Sequence, residues 1–277
     1  MRIANVGGRL HLVTDAGSAD VHTASDGRFG PDPQSVYETW AEFSAWAAGA
    51  STVDYTPLDT GLLGAPVPRP RQVFAIGLNY TEHAAESGYP PESMPVTFTK
   101  FPSCLTGPFA TVDLPSAFVD WEVELVVAIS KRATAVDASD GWDHIAGVTI
   151  GQDLSERKMQ GEGTKPQFSL AKSFAGFGPT GPWLVTPDEL PDRDDLAIGS
   201  AVSGESMQDS RTSRMIYPVP TLIARLSGVC TLLPGDLIFT GTPAGVGNAR
   251  TPQRFLSAGD VLVSTIEGIG EITTRFR

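Results

Sequence analysis

Hydrophobic and polar positions alternate most regularly across residues 119–129, and a period of two predicts a β-strand there. Val119, Trp121, Val123, Leu125, Val127 and Ile129 form one apolar face. The opposite face opens with Asp120, Glu122 and Glu124 before it reaches Val126 and Ala128. Three carboxylates in a row repel one another, so they either raise each other's pKa or gather a cation. A solvated outer face of an edge strand is the competing reading.

The same reading orders the rest of the chain. Residues 2–13 predict two short strands around Gly7 and Gly8, and residues 35–48 predict a helix with Val36, Trp40, Phe43 and Ala47 on one side. Between them, residues 15–33 fit a loop or an extra strand pair. Prolines 66, 68 and 70 stiffen a linker. The expected division is therefore a small N-terminal α+β lobe over 1–65, a proline-rich linker over 66–70 and a large domain over 71–277. The large domain opens on the apolar strand Val73–Gly77, which feeds a short helix over 78–88. Strands are expected at 96–100, 145–152, 183–185, 196–202 and from 237 onward, with helices around 138–142 and 217–226. The fold class expected is mixed α+β and rich in strands.

Composition narrows the function. The chain has 277 residues, 41% hydrophobic and 19% charged, enough for a large core. A formal net charge of -12 argues against a nucleic-acid or anionic-membrane partner, because both select a basic surface. No stretch reaches the ~18 apolar residues of a membrane span, and the start lacks a signal-peptide pattern. Cys104 and Cys230 are the two cysteines and form no redox or metal spacing, so buried thiols in a reducing cytoplasm are expected.

The candidate chemistry lies in the large domain. His83 and Glu86 are three apart on the expected helix, so the carboxylate can orient the imidazole as a general base; an ordinary surface pair has the same spacing. Asp153 closes an apolar strand, from which it either reaches Glu122 and Glu124 across a neighbouring strand or caps a helix. Lys172 stands inside an apolar stretch, where a lone ammonium must snorkel outward or meet an anion. Lys100 ends a strand, where it either meets an anionic substrate or, as is more common for a lysine, lies exposed at the surface. The run Thr240 to Gly247 allows close backbone approach to a ligand, and Thr242 adds a hydroxyl. No nucleotide-binding motif is present.

Taken together, these segments resemble the fumarylacetoacetate hydrolase family. The resemblance rests on Ile76-Gly77-Leu78-Asn79-Tyr80 with His83 and Glu86, Asp120-Trp121-Glu122-Val123-Glu124-Leu125, Asp153-Leu154-Ser155-Glu156-Arg157, Lys172-Ser173-Phe174, Gly181-Pro182-Trp183, and Gly235-Asp236 followed by residues 240–247. It covers about residues 71–277. It implies a β-roll or sandwich with a small N-terminal lobe, and Mg2+ or Mn2+ held by Glu122, Glu124 and Asp153 with Lys172 beside it. It also implies a catalytic His83–Glu86 pair on a closing segment, substrate contacts from Arg157, Gln160 and Thr242, and a homodimer. Gln152, Glu156, Lys158 and Ala175 depart from the family's pattern and put the substrate preference in question. The activity implied first is hydrolysis of a carbon–carbon bond in a 2,4-dioxo acid of the acylpyruvate or fumarylpyruvate type. Decarboxylation of oxaloacetate, isomerisation or hydration of unsaturated 2-oxo dioic acids, and an idle metal-binding protein are the alternatives.

Overall fold

A computed structural model describes residues 1–50, 53–88 and 94–277. The mixed α+β, strand-rich expectation holds, and the acidic stretch lies at the centre of the larger sheet. Along that sheet the strands run Gly17–Asp20, Arg9–Thr14, Arg2–Val6, Gly178–Val185, Ile145–Gln152, Val123–Ile129, Leu237–Phe239, Val73–Gly77 and Val96–Thr99. A second sheet of five strands holds Glu205–Arg211, Ala197–Val202, Val261–Ile266, Gly270–Phe276 and Thr111–Val112.

The strand Val123–Ile129 is buried along its whole length, because both of its faces are covered. Val123, Leu125, Val127 and Ile129 pack with Leu222, Ile223 and Leu226 of the helix Val219–Ser227 and with Ile198, Ile266 and Ile272 of the second sheet. Val126 and Ala128 pack on the other side with Ile3, Leu10, Leu12, Phe43 and Phe239. The first lobe thus shares a core with the rest. Its strand Arg2–Val6 also continues the main sheet, with Arg2 opposite Val185 and Ile3 opposite Leu184.

Alternation across residues 119–129 does not yield one strand. Val119–Asp120 and Val123–Ile129 are separate, and the break falls on Trp121 and Glu122. Asp120 pairs back toward Ser155 in a small two-stranded ladder. Side-chain amides replace the missing ladder bonds: Gln152 Oε1 accepts from the Glu122 N–H at 2.9 Å and Gln208 Oε1 from the Val123 N–H at 3.0 Å. The break frees Glu122 from the strict strand alternation.

Other elements depart in smaller ways. The helix expected over 35–48 is a 3-10 turn, Ser35–Thr39, followed by the α-helix Trp40–Gly49. The segment 15–33 contains the strand Gly17–Asp20 and the short helix Val21–Ala24, capped by Asp20. Glu205–Arg211 is a strand that the hydrophobic pattern does not reveal, because an edge strand with a polar sequence carries little apolar alternation. Among the described residues no helix is long and apolar enough to cross a membrane. Cys104 is buried as expected, but Cys230 is exposed at the end of the turn after a helix.

Candidate active site

The helix Thr81–Glu86 presents the imidazole and its carboxylate. Before it, Leu78 adopts a left-handed conformation (φ 58°) that a branched side chain occupies only under constraint. Asn79 supplies the constraint, donating to the carbonyl oxygens of Thr240 (2.7 Å) and Tyr217 (3.1 Å) and accepting from the Tyr217 N–H (2.8 Å). The helix start is thereby tied to the strand end at Thr240. His83 Nδ1 lies 2.7 Å from Glu86 Oε1. A carboxylate only accepts, so Nδ1 carries the proton and Nε2 is left as the basic nitrogen. Glu86 also accepts from the Gly245 N–H at 3.0 Å, which fastens the pair to the glycine-rich loop. At Gly245 (φ 106°) a Cβ would stand 2.2 Å from the Met207 carbonyl oxygen, so only glycine lets the loop pass.

Glu122, Glu124 and Asp153 converge, with one oxygen from each lying within 4.8 Å of the others. The antiparallel pairing of Val123–Ile129 with Ile145–Gln152 produces this, since Val123 faces Gln152 and the Asp153 N–H donates to the Glu122 carbonyl oxygen. Asp153 is therefore not a helix cap. Lys172 Nζ bridges two of the three, at 2.7 Å from Glu122 Oε2 and 2.6 Å from Asp153 Oδ2. It is buried by anion pairing and does not snorkel.

Arg157 completes the wall. Its Nε donates to Asp120 (2.8 Å), one terminal nitrogen to Glu122 (2.7 Å) and the other to Gln160 Oε1 (2.9 Å). Asp120 is absent from the acidic cluster: it also accepts from the backbone N–H of Gly247 (2.7 Å) and Asn248 (2.9 Å), and so holds the glycine-rich loop. The Thr242 hydroxyl donates to the Val123 carbonyl oxygen at 2.9 Å and accepts from Gln208 at 2.7 Å, so its proton is already committed.

Seven of these groups meet at one cavity of about 350 Å³, which Asp120, Glu124 and Asp153 do not line. His83, Glu86, Glu122, Arg157, Gln160, Lys172 and Thr242 all line it, opposite Ile76, Phe98, Phe168 and Val246. Its volume suits a small acid.

Charge is unevenly distributed across the cluster. Burial alone would push the Glu122 carboxyl up, but Lys172 and Arg157, helped by His83, hold it well below the usual carboxylate range. Glu124 goes the other way: burial, then Asp153 and Glu122, push its carboxyl well above that range. Burial would lower the Lys172 ammonium, yet Asp153 and Glu122 keep it raised. Among the described residues the ion pairs of Asp120, Glu122 and Asp153 are with Arg157, Lys172 and Lys100, and Glu124 forms no ion pair of its own. A buried set of three carboxylates with one unbalanced charge fits a hard divalent cation bound through oxygen.

Two buried polar groups near the site are not marked by the sequence. Lys100, expected at the surface, is fully buried with Nζ 2.7 Å from Asp153 Oδ1. The apolar residues around it, Phe98 and Phe101, are the same kind of signal that marked Lys172. Gln208 lies on the unrecognised strand, and nothing in its local sequence marks it. Glu156, one of the departures, caps the helix Arg157–Gln160 through the Met159 N–H, while Lys158 extends to within 6.0 Å of the Phe118 ring centroid. Neither lines the cavity.

The fold and this site define a class: a family model for the fumarylacetoacetate hydrolase C-terminal domain matches residues 72–277, and the chain belongs to that family. Among curated proteins it is 43% identical over 213 residues to the mitochondrial oxaloacetate tautomerase FAHD2A of Bos taurus, covering 76% of this chain and 68% of the relative. The human FAHD2A, with the same coverage, is 42% identical. Among solved structures, a Mycobacterium smegmatis protein described as HpcE superposes with a TM-score of 0.96 at 55% identity, covering 100% of this chain and 99% of the other. Maleylpyruvate hydrolase from Sphingobium sp. SYK-6, solved with manganese(II) and pyruvate, gives 0.80 at 28% identity over 100% and 98%.

Proposed function

We propose that the protein is a divalent-metal-dependent enzyme that shifts a proton between oxygen and carbon in the enol and keto forms of a 2-oxo acid. The observation that carries this reading is His83, its Nδ1 bound to Glu86, opening on the same cavity as Glu122 and Lys172. A base with a fixed tautomer beside buried cations suits proton abstraction next to a carbonyl. The tautomerases named among the relatives act on oxaloacetate, which points to the same chemistry. We also propose that the protein works as a homodimer.

In this reading Glu122, Glu124 and Asp153 hold Mg2+ or Mn2+. That ion, when bound, would supply Lewis-acid polarisation to the substrate. Lys172 spends two of its three N–H bonds on Glu122 and Asp153 and directs the third toward the oxygen on which negative charge grows. Arg157 has N–H groups beyond those given to Asp120, Glu122 and Gln160, and with Gln160 it orients the acid head. Thr242 meets substrate through its hydroxyl lone pair or its backbone. His83 Nε2 accepts the proton released from the enol oxygen or the adjacent carbon and returns it at the other position, while Glu86 stabilises the imidazolium.

The maleylpyruvate hydrolase neighbour favours a second reading, cleavage of a 2,4-dioxo acid. There His83 would take a proton from water and the hydroxide would attack the distal carbonyl. One experiment separates the two. Metal-loaded protein is assayed with enol-oxaloacetate, acetylpyruvate and fumarylpyruvate, beside His83→Ala and Glu122→Ala. Loss of the enol absorbance of oxaloacetate without carbon dioxide, reduced at least ~100-fold in His83→Ala, is expected. Release of pyruvate from the dioxo acids makes the hydrolase reading primary, and carbon dioxide from oxaloacetate makes the protein a decarboxylase.

A further inference from the structure

Lys100 is a cation that the chemistry above does not use. It follows the strand Val96–Thr99, is 0% exposed and does not line the cavity. Its Nζ donates to Asp153 Oδ1 at 2.7 Å and also to the backbone carbonyl oxygen of Lys172. Lys172 Nζ holds the other oxygen of Asp153 at 2.6 Å, so both carboxylate oxygens are gripped, one of them from behind the site. The carbonyl that Lys100 holds belongs to the residue closing the short helix Phe168–Ala171, from which the Lys172 side chain departs. One ammonium therefore fixes an acidic ligand and the origin of the cavity's own lysine.

We propose that Lys100 is a positioning residue that acts on the site through Asp153 and Lys172, and that its charge limits how tightly the acidic cluster holds a cation. This rests on Glu122, Glu124 and Asp153 being a metal site. Lys100 is one of three cations set against four carboxylates. Its removal leaves the cluster with a larger surplus of buried negative charge, and in a buried setting that surplus acts on a divalent ion with little screening. A residue that merely filled space would behave differently: its loss would loosen the site and weaken the ion.

The test is a Mn2+ titration followed by the electron paramagnetic resonance of free Mn2+, with melting temperature and turnover recorded for wild type, Lys100→Met, Lys100→Gln and Lys100→Arg. Both neutral variants should bind Mn2+ at least tenfold more tightly than wild type, and Lys100→Arg should stay near wild type. Turnover should fall tenfold or more in Lys100→Met and less in Lys100→Gln, whose amide still donates to Asp153. If Lys100→Met does not fold, the Gln and Arg variants decide by the same comparison. Mn2+ affinity equal to wild type or weaker in the folded neutral variants overturns the role given to Lys100. Absence of Mn2+ binding by wild type overturns the metal site itself, and Lys100's role with it.

Discussion

Glu124 is the acidic group whose state a metal must change. Its carboxyl is pushed well above the usual range by burial, then by Asp153 and Glu122, so without an ion it holds a proton more tightly than an ordinary carboxyl does. A divalent cation needs the carboxylate, so metal and proton compete for Glu124. Metal affinity should therefore rise with pH up to the raised Glu124 value and level off above it. Calorimetric titration with Mg2+ in two buffers of different ionisation enthalpy measures the protons released; release that grows as pH is lowered is expected, and none at any pH would contradict this account of Glu124. The sign for stability is opposite in the metal-free protein. There Glu124 contributes fully below its unfolded pKa, and that contribution is lost as pH rises through the raised folded one. Such behaviour was only half legible in the chain. The acidic spacing showed that Glu122 and Glu124 would compete for charge, but the cations that settle the outcome, Lys172 and Arg157, come from distant segments.

The strand 123–129 shows why periodicity finds an element and misplaces its ends. Apolar side chains at 119 and 121 continue the alternation, yet they belong to a different core, with Leu154, Phe177 and Leu262. The register change at Trp121 and Glu122 is held by two glutamines, neither of which a pattern of hydrophobic positions can report. Gln208 is the stronger test. Its amide accepts from the Val123 N–H and the Ser200 hydroxyl, and donates to Thr242 Oγ1 and the Pro243 carbonyl oxygen. Gln208→Leu would leave several of these buried groups unpaired, each costing about 1–3 kcal/mol. Urea denaturation should show a loss of at least ~2 kcal/mol, with turnover falling as Thr242 and the 240–247 loop lose their anchor. A variant as stable as wild type would mean that the second sheet does not hold the loop.

Long-range pairing was the least legible feature, for a simple reason: the strand Arg2–Val6 finds its partner in Gly178–Val185, far along the chain, and no local pattern encodes that match. Subunit association depends on the same kind of distant arrangement. Leu170 and Phe101 are 57% and 45% exposed, two of the large apolar side chains that remain in solvent. They are joined through Ser173, whose hydroxyl accepts from the Phe101 N–H and whose own N–H donates to the Leu170 carbonyl oxygen. Both therefore sit on the outside of the turn that carries Lys172 inward. With a net charge of -12, two copies repel at long range, so association requires apolar contact of this kind to be buried. A homodimer using this surface would brace the lysine turn from outside. Light scattering on the purified protein should then give a mass twice 29.3 kDa, and the paired substitution Phe101→Glu with Leu170→Glu should return it to 29.3 kDa by placing carboxylates in the interface. A wild-type monomer rules out the dimer, while a dimer that survives both substitutions moves the interface to another face. If the pair dissociates the protein and turnover falls with it, the turn carrying Lys172 depends on the neighbouring subunit for its position, and the site is completed by assembly.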